Sequence, residues 1–338
     1  MTETVLVTGG SGYLAGWCIA ELLKRGYVVR ATLRRLAKEP MVRSSVAAVA
    51  DPRNLSFWAA DLTGDEGWEA AVAGCDYVLH VASPLGVNNS RSPNDLIVPA
   101  RDGTLRVLRA AVTAGVKRVV MTSAANAASP SSYTEEGVTD ETLWTDSDDP
   151  TLIPYRRSKT LAEKAAWELM KTAGGETTLT TVLPGAVFGP ILSRDNLHSV
   201  QVIGRLLRGE MPGLPRIGLE VVDVRDLVDV HLRAMTAQAA AGERFLATGE
   251  LIWLSEVAQV LRDNLGAAAS KVPTRTIPDF MVRLMAIMKP ELREIAISLG
   301  RKNRHTTGKA ETVLGWRPRS ARETIIDCAK SLKEWKVA

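Results

Sequence analysis

The run VLVTGGSGYLAG at residues 5–16 decides the fold of this 338-residue chain. Its β-branched start predicts a strand over Val5–Thr8, and the pattern that follows predicts a helix over Tyr13–Lys24. Between them, Gly9 suits a tight turn, Gly12 leaves room for a pyrophosphate to approach the backbone, and the start of the helix offers free N–H groups to an anion. The same glycines also fit an ordinary strand-to-helix turn, so the motif needs support from the rest of the chain.

That support comes from a repeated alternation of strand-like and helical segments. Apolar residues at helical spacing predict long helices over 95–114 and 154–171, and β-rich runs bounded by turn formers predict further strands. Such alternation is typical of a parallel sheet with helices on both faces. We therefore predict an α/β fold with a doubly wound, Rossmann-type sheet. The further predicted strands are 27–33, 54–59, 77–81, 118–122 and 179–183.

The end of the second predicted strand indicates which dinucleotide would bind. An acidic residue there would accept hydrogen bonds from the adenosine ribose, whereas an arginine would meet a 2′-phosphate. Residues 29–35 read VRATLRR, and the next acid is Glu39. The pattern favours NADP(H) over NAD(H), with a solvated basic strand end as the alternative explanation.

The texture of the sequence changes in the second half of the chain. A polar stretch over 129–150 is too long for a plain connector, and loops of that length are usually functional. From residue 185 onward helical patterns dominate. We predict an NADP-binding Rossmann domain over 1–184 and a smaller, mostly helical substrate-binding lobe over 185–338, with segments free to cross between the two.

Tyr155 and Lys159 stand four residues apart at the start of the helix predicted over 154–171. This spacing puts the phenol and the ammonium on one helix face, where they can act as a pair. A phenol has an ordinary pKa of about 10 and transfers protons poorly at neutral pH unless a nearby cation stabilises the phenolate. The pair predicts a tyrosine acid–base site assisted by lysine, although the same spacing also occurs on ordinary helix surfaces.

Composition narrows the classes of protein and partner. The 42 lysines and arginines are interspersed with 38 acids, a formal charge of +4, which argues against nucleic-acid binding. No stretch reaches the roughly 18–20 apolar residues of a membrane span, and three widely spaced cysteines indicate neither disulfides nor a zinc site. We expect a soluble cytoplasmic protein without a bound metal. The four histidines have no partners at ligand spacing: His80, His198, His231 and His305.

Taken together, these segments resemble the extended short-chain dehydrogenase/reductase family, and within it the branch of dihydroflavonol reductases, cinnamoyl-CoA reductases and ketone/aldehyde reductases. The resemblance covers nearly the whole chain. Residues 8–15 are similar to the family's T-G-x-x-G-x-x-G, with Ala15 for the last glycine, and Tyr155–Lys159 is similar to its Y-x-x-x-K. Further similar segments are Asp61-Leu62, His80–Pro84, Pro184–Pro190 and Val222–Leu227.

The resemblance implies roles for individual residues. Tyr155 would protonate the carbonyl oxygen as hydride arrives from the nicotinamide, while Lys159 would hydrogen-bond the nicotinamide ribose and lower the tyrosine pKa. Arg34 falls where NADP-dependent members bind the 2′-phosphate. The implied cofactor-binding residues are Gly9, Ser11, Gly12, Tyr13, Leu14, Arg34, Asp61, Leu62, Ala82, Ser83, Thr122, Tyr155, Lys159, Pro184 and Val187.

One position departs from the family pattern. Relatives commonly read T-S-S after the fifth strand, with the second serine polarising the carbonyl, whereas this chain has Thr122-Ser123-Ala124. Without a gap, the catalytic position falls on Ala124. Ser123 becomes the catalytic candidate if the loop shifts by one residue, with Thr122 in reserve. Loss of this hydrogen bond typically costs a few kcal/mol of transition-state stabilisation, so a silent site has to be considered.

Three functions remain as alternatives. The first is an NADPH-dependent reductase that converts a ketone or aldehyde group of a small-molecule substrate to an alcohol. The second is a nucleotide-sugar epimerase or dehydratase of the same superfamily, which the basic strand end disfavours because those enzymes generally retain NAD. The third is a catalytically silent NADP-binding regulator. In relatives the helix near 95–114 and the helix that carries the tyrosine pair with their copies, which implies a homodimer.

Overall fold

The computed structural model describes residues 2–84, 94–195, 197, 199–288 and 292–338, so His198 lies outside the described residues. The strands are β1 (Thr4–Val7), β2 (Val28–Leu33), β3 (Leu55–Ala59), β4 (Tyr77–His80), β5 (Arg118–Thr122), β6 (Gly137–Thr139), β7 (Thr178–Pro184), β8 (Ala186–Phe188), β9 (Leu214–Pro215), β10 (Gly218–Asp223), β11 (Arg244–Ala247), β12 (Glu250–Trp253), β13 (Thr276–Ile277) and β14 (Asn303–His305). The α-helices are α1 (Tyr13–Lys24), α2 (Glu39–Ala47), α3 (Trp68–Val72), α4 (Asn94–Thr113), α5 (Pro154–Ala173), α6 (Gln201–Arg208), α7 (Val224–Thr236), α8 (Leu254–Leu265), α9 (Asp279–Met288), α10 (Arg293–Ile297), α11 (Gly308–Leu314) and α12 (Ala321–Glu334).

The predicted doubly wound sheet is confirmed. Seven strands pair in the order β3-β2-β1-β4-β5-β7-β11, and every pair is parallel. The central strands are largely buried because helices cover both faces; Leu6 and Leu79, for example, are fully buried. The strand order reverses between β1 and β4, and such a reversal opens a crevice at the carboxyl ends of the strands.

Two hydrophobic cores lie side by side, and the chain crosses between them. The core of the large sheet includes side chains from α7 and β11, with Phe245 opposite Val182 across the β11–β7 pair. A second core is built by α6, α8 and α12 around the three-stranded sheet β8-β10-β12. A single cut at residue 184 therefore does not separate the two cores, because residues 224–247 return to complete the edge and one face of the large sheet.

The polar stretch over 129–150 is held by polar contacts rather than by apolar packing. The buried Thr145 hydroxyl lies 2.7 Å from the carbonyl oxygens of Asn126 and Ser129. The ring of Tyr133 lies between two guanidinium groups, those of Arg156 at 4.7 Å and Arg301 at 4.4 Å. Since Arg156 belongs to α5, these contacts fix the stretch beside that helix. None of the helices in the described ranges has the length and apolarity needed to cross a membrane.

Candidate active site

The carboxyl ends of β1, β2, β4, β5 and β7 open onto a cleft of about 950 Å³ at the point where the strand order reverses. Open parallel sheets bind their ligands at this position. All residues that the sequence analysis placed in the site line this one cleft: Gly9, Ser11, Gly12, Tyr13, Leu14, Arg34, Asp61, Leu62, Ala82, Ser83, Thr122, Ser123, Tyr155, Lys159, Pro184 and Val187. Their separate roles remain predictions.

The glycine turn between β1 and α1 forms one end of the cleft floor. Gly9 has a φ of +70°, and a Cβ at this position would lie 3.0 Å from the Cβ of Ala82 at the end of β4. Glycine is therefore required both for the left-handed conformation and for the close approach of the two strand ends. Gly12 is the residue before α1 and has no side chain with which to cap this helix. The uncapped N–H groups at a helix start suit an anion such as a pyrophosphate.

A cluster of three cations stands where β2 ends. Arg34, Arg35 and Lys38 all line the cleft, and both arginines are exposed. The Lys38 ammonium lies 3.3 Å from the carboxylate of Asp195, which the loop after β8 supplies. Lys38 was not among the predicted cofactor-binding residues, although a third basic residue only four positions after Arg34 pointed to it.

Tyr155 and Lys159 come together at the other end of the cleft, near the first turn of α5. This helix begins at Pro154, whose fixed φ suits a helix start. Tyr155 is partly exposed to the cleft, whereas Lys159 is only 6% exposed. The Lys159 ammonium donates to the backbone oxygen of Thr122 at 3.4 Å, which connects the pair to the end of β5.

The proton affinities of the pair are set mainly by burial. Burial, with a smaller contribution from Tyr133, raises the pKa of Tyr155 to about 12. The lowering predicted from the sequence depends on the positive charge of a bound nicotinamide as well as on Lys159, and it stays a prediction. Burial also lowers the pKa of Lys159 to about 8, against the opposing effect of the Glu163 charge. At neutral pH the phenol keeps its proton and the lysine is mostly charged.

A neutral histidine lies behind the pair. The ring of His80 is buried, with Nδ1 2.9 Å from the hydroxyl of Thr8 and Nε2 3.3 Å from that of Thr104. Burial, together with the charge of Lys159, lowers the pKa of His80 to about 3. His80 is therefore uncharged at neutral pH and adds no second cation beside Lys159. Across the described ranges, no group of three or more histidine, cysteine or acidic side chains is arranged to hold a metal ion.

The hydroxyl groups of Thr122, the last residue of β5, and of Ser123 donate to protein groups rather than into the cleft. Ser123 is 2% exposed, and its hydroxyl donates to Glu163 Oε2 at 2.5 Å. His231 Nδ1 lies 2.7 Å from the oxygen of Leu227, so this nitrogen carries hydrogen and Nε2 accepts from the Thr122 hydroxyl at 2.7 Å. Burial lowers the pKa of His231 to about 4, in agreement with a neutral ring. The role predicted for Ser123 gains no support from these bonds.

The fold, the phosphate-binding turn and the tyrosine–lysine pair define the class of dinucleotide-dependent oxidoreductases with a Rossmann-type sheet. The chain belongs to the NAD dependent epimerase/dehydratase family, whose model matches residues 5–247, and the resemblance to extended short-chain dehydrogenase/reductases is thereby confirmed. It is 33% identical to dihydroflavonol 4-reductase of Zea mays over 268 residues, which are 77% of this chain and 74% of that protein. It is 35% identical to a cinnamoyl-CoA reductase of Medicago truncatula over 266 residues, 77% of this chain and 80% of that protein.

Solved structures share the fold over almost the whole chain. Yeast methylglyoxal/isovaleraldehyde reductase Gre2, complexed with NADPH, superposes with a TM-score of 0.84 at 23% identity, covering 99% of this chain and 100% of that chain. The NADPH complex of Gre2 from Candida albicans has a TM-score of 0.81 at 25% identity, with coverage of 98% and 99%. The shared fold extends through the second core.

Proposed function

We propose that this protein is an NADPH-dependent reductase that converts a ketone or aldehyde group of a small organic molecule to an alcohol. The observation that carries the proposal is the pairing of a partly exposed phenol with a buried ammonium at the wall of the cleft, opposite a glycine turn suited to a dinucleotide. The relatives of this chain include a dihydroflavonol 4-reductase and a cinnamoyl-CoA reductase, which supports a reductase function.

The residues present fit NADP(H) as the cofactor. The glycine turn would hold the pyrophosphate, and the three cations Arg34, Arg35 and Lys38 would bind the 2′-phosphate of the adenosine. The two Gre2 structures hold NADPH, which supports the same choice here. When bound, the cofactor supplies the hydride that reduces the carbonyl carbon.

The protein's own residues supply the proton and the charge that the reduction needs. Tyr155, whose phenol is protonated at neutral pH, donates its phenolic proton to the carbonyl oxygen. Lys159 then stabilises the phenolate, because its ammonium is buried nearby where charge interactions are strong. Solvent at the cleft mouth returns the proton to Tyr155.

Assembly and location complete the proposal. We propose that two copies associate through α4 and α5, as the family resemblance implies. On α4, Val98 is 41% exposed, which leaves apolar surface available on this helix pair.

A reducing, cytoplasmic location is supported by three cysteines that are buried and unpaired, Cys18, Cys75 and Cys328.

A second candidate function is a silent NADP-binding regulator. It is favoured by one observation: Ala124 stands at the cleft wall where the family has a catalytic serine, and the neighbouring hydroxyls of Thr122 and Ser123 donate elsewhere. Such a protein would bind NADPH without oxidising it. A nucleotide-sugar epimerase, in contrast, would turn over substrate with no net consumption of cofactor.

The test is NADPH oxidation with a panel of aryl ketones and aldehydes, comparing wild type with Tyr155→Phe. We expect the substitution to lower kcat by about 100-fold or more, because general acid catalysis contributes on that order, while the affinity for NADPH stays the same. Tyr77→Phe is the matched control, because the Tyr77 hydroxyl bonds to Glu3 at the start of β4, whereas the cleft lies at the carboxyl end of that strand. Unchanged turnover in Tyr155→Phe would exclude the proposed chemistry, and binding without turnover in wild type would favour the regulator.

A further inference from the structure

Glu163 is a fully buried carboxylate that the proposed mechanism does not use. It lies on α5, one helical turn after Lys159, and is 0% exposed. Its Oε1 accepts from the Thr181 hydroxyl at 2.7 Å and from Arg244 Nε at 2.8 Å, while its Oε2 accepts from the Ser123 hydroxyl at 2.5 Å. The carboxylate is therefore surrounded by hydrogen-bond donors and paired with the Arg244 guanidinium.

Arg244 extends this network to the rest of the fold. Its Nη1 donates to the backbone oxygens of Glu141 at 2.6 Å and Leu143 at 3.0 Å, and its guanidinium lies 3.7 Å from the ring centre of Trp144. Through Glu163 and Arg244, helix α5 is tied to β5, β7, β11 and the polar stretch. The helical turn that carries Lys159 therefore has little freedom to rotate or slide.

The same carboxylate is an electrostatic partner of Lys159. Residues four apart on a helix share a face, so the Glu163 charge acts on the Lys159 ammonium through the protein interior. Two neutral groups stand near this ammonium, His80 on β4 and the phenol of Tyr155 on α5, and the nearest partner of Glu163 itself is the Arg244 cation on β11. Burial favours loss of the lysine proton, and Glu163 opposes that loss.

We propose that Glu163 is a positioning residue, which holds α5 against β7 and the end of β5 and supplies a buried negative charge one helical turn after Lys159. The proposal rests on the proposed function in one respect, namely that Lys159 acts as a cation beside Tyr155. Glu163 itself touches neither substrate nor cofactor, because it is buried behind Ser123. Arg244 has the opposite effect, since its positive charge partly cancels that of the carboxylate.

The titration of Lys159 provides the test, measured by NMR on the full-length protein with carbon-13-labelled lysine. The Lys159 signal is assigned by its loss in Lys159→Arg. We expect Glu163→Gln to move the titration midpoint of Lys159 to lower pH by about one unit, because it removes a unit charge in a poorly screened interior. We expect Arg244→Gln to move the midpoint in the opposite direction, because it removes the cation that pairs with Glu163. Thr181→Val is the uncharged control, which removes a hydrogen bond to Glu163 and is expected to leave the midpoint in place.

Opposite shifts in the two charge variants would not arise from a merely structural role, which would disturb the site in the same direction in both. If Arg244→Gln does not fold, the midpoint of Glu163→Gln is judged against that of Thr181→Val, which removes a bond to the same carboxylate without removing a charge. An unchanged midpoint in a folded Glu163→Gln, or shifts of the same sign in both, would overturn the proposal. The NMR measurement needs no turnover; if wild type reduced no carbonyl, the proposed function would fail while the role of Glu163 would still be decided. Where turnover is present, the alkaline limb of the kcat/KM profile should move with the NMR midpoint.

Discussion

At the scale of single residues, the hydroxyls of Thr122 and Ser123 donate to protein groups, and the next residue along the cleft wall, Ala124, has none. Ala124 lines the cleft and is 4% exposed. We predict that Ala124→Ser raises kcat/KM for the best carbonyl substrate by about 10-fold or more, because a hydrogen-bond donor aimed at a developing oxyanion commonly contributes at least that much. Steady-state kinetics at saturating NADPH measures the change.

Ser123→Ala is the companion variant. Its hydroxyl donates to Glu163, so we expect kcat/KM to fall less than about 3-fold, while the unfolding free energy falls by about 2 kcal/mol through loss of a charged, buried hydrogen bond. A loss of activity of 100-fold in Ser123→Ala, with no gain in Ala124→Ser, would instead make Ser123 the catalytic hydroxyl, as the shifted-loop prediction has it.

Residues of the cleft differ in how far sequence could predict them. Tyr155 and Lys159 belong to one short motif on one helix, so local spacing was sufficient to pair them. The bond between Thr122 and His231 joins residues 109 positions apart, and the pairing of Glu163 with Arg244 spans 81. Contacts of that range depend on how sheet and helices pack, and no pattern within either segment indicates them.

At the scale of elements, the turn after β2 is where we propose that NADPH is selected over NADH. Arg34 is exposed and lines the cleft, so its guanidinium is available to a 2′-phosphate. We predict that Arg34→Ala raises the KM for NADPH by about 10-fold to 100-fold, the loss expected for a charge-assisted hydrogen bond, and changes the KM for NADH little. Lys38 retains part of the affinity.

Arg53→Ala is the control for general charge effects, because Arg53 is an arginine of the same region whose side chain is 87% exposed and pairs with Asp51. We expect it to leave both KM values unchanged. Equal effects of Arg34→Ala on the two cofactors would support the alternative of a solvated basic strand end.

Elements were predictable where burial imposes a pattern on the sequence. The strands of the central sheet that the sequence predicted are those whose residues are mostly buried beneath helices. The three-residue strands β6 and β14 were not predicted. Gly137 pairs opposite Asn303, and strands this short show no alternation of their own. Likewise β11 joins the large sheet from beyond residue 184, which a reading of consecutive segments does not reveal.

At the scale of the whole molecule, the cleft joins two unlike environments. The end of the cleft at Arg34 and Arg35 is exposed and cationic. The end at Lys159 and Ser123 is buried against the core. Salt screens charges at the exposed end and does so far less in the interior. Cofactor binding should therefore depend more strongly on ionic strength than the chemical step does.

The buried neutral histidines also make the stability of the whole fold depend on pH. Burial lowers the pKa of His231 to about 4, whereas the unfolded chain has the ordinary value of about 6.5. A native pKa below the unfolded one contributes stability that is complete above about pH 6.5 and is lost as the pH falls towards 4, because the unfolded chain takes up a proton that the native state refuses. The carboxylates contribute mainly below this range.

We predict that His231→Asn removes this share of the acid sensitivity. Between about pH 6 and pH 5, the unfolding free energy of wild type should fall more steeply than that of the variant by about 1 kcal/mol per pH unit, since one proton is involved. Urea unfolding at about pH 7, 6 and 5 measures both slopes, and the comparison of slopes is independent of any constant destabilisation by the substitution. His80→Asn should act in the same direction, because burial and the Lys159 charge lower the pKa of His80 to about 3. Parallel slopes in wild type and His231→Asn would show that His231 takes up its proton as readily in the folded protein as in the unfolded chain, and the lowered pKa would then have to be given up.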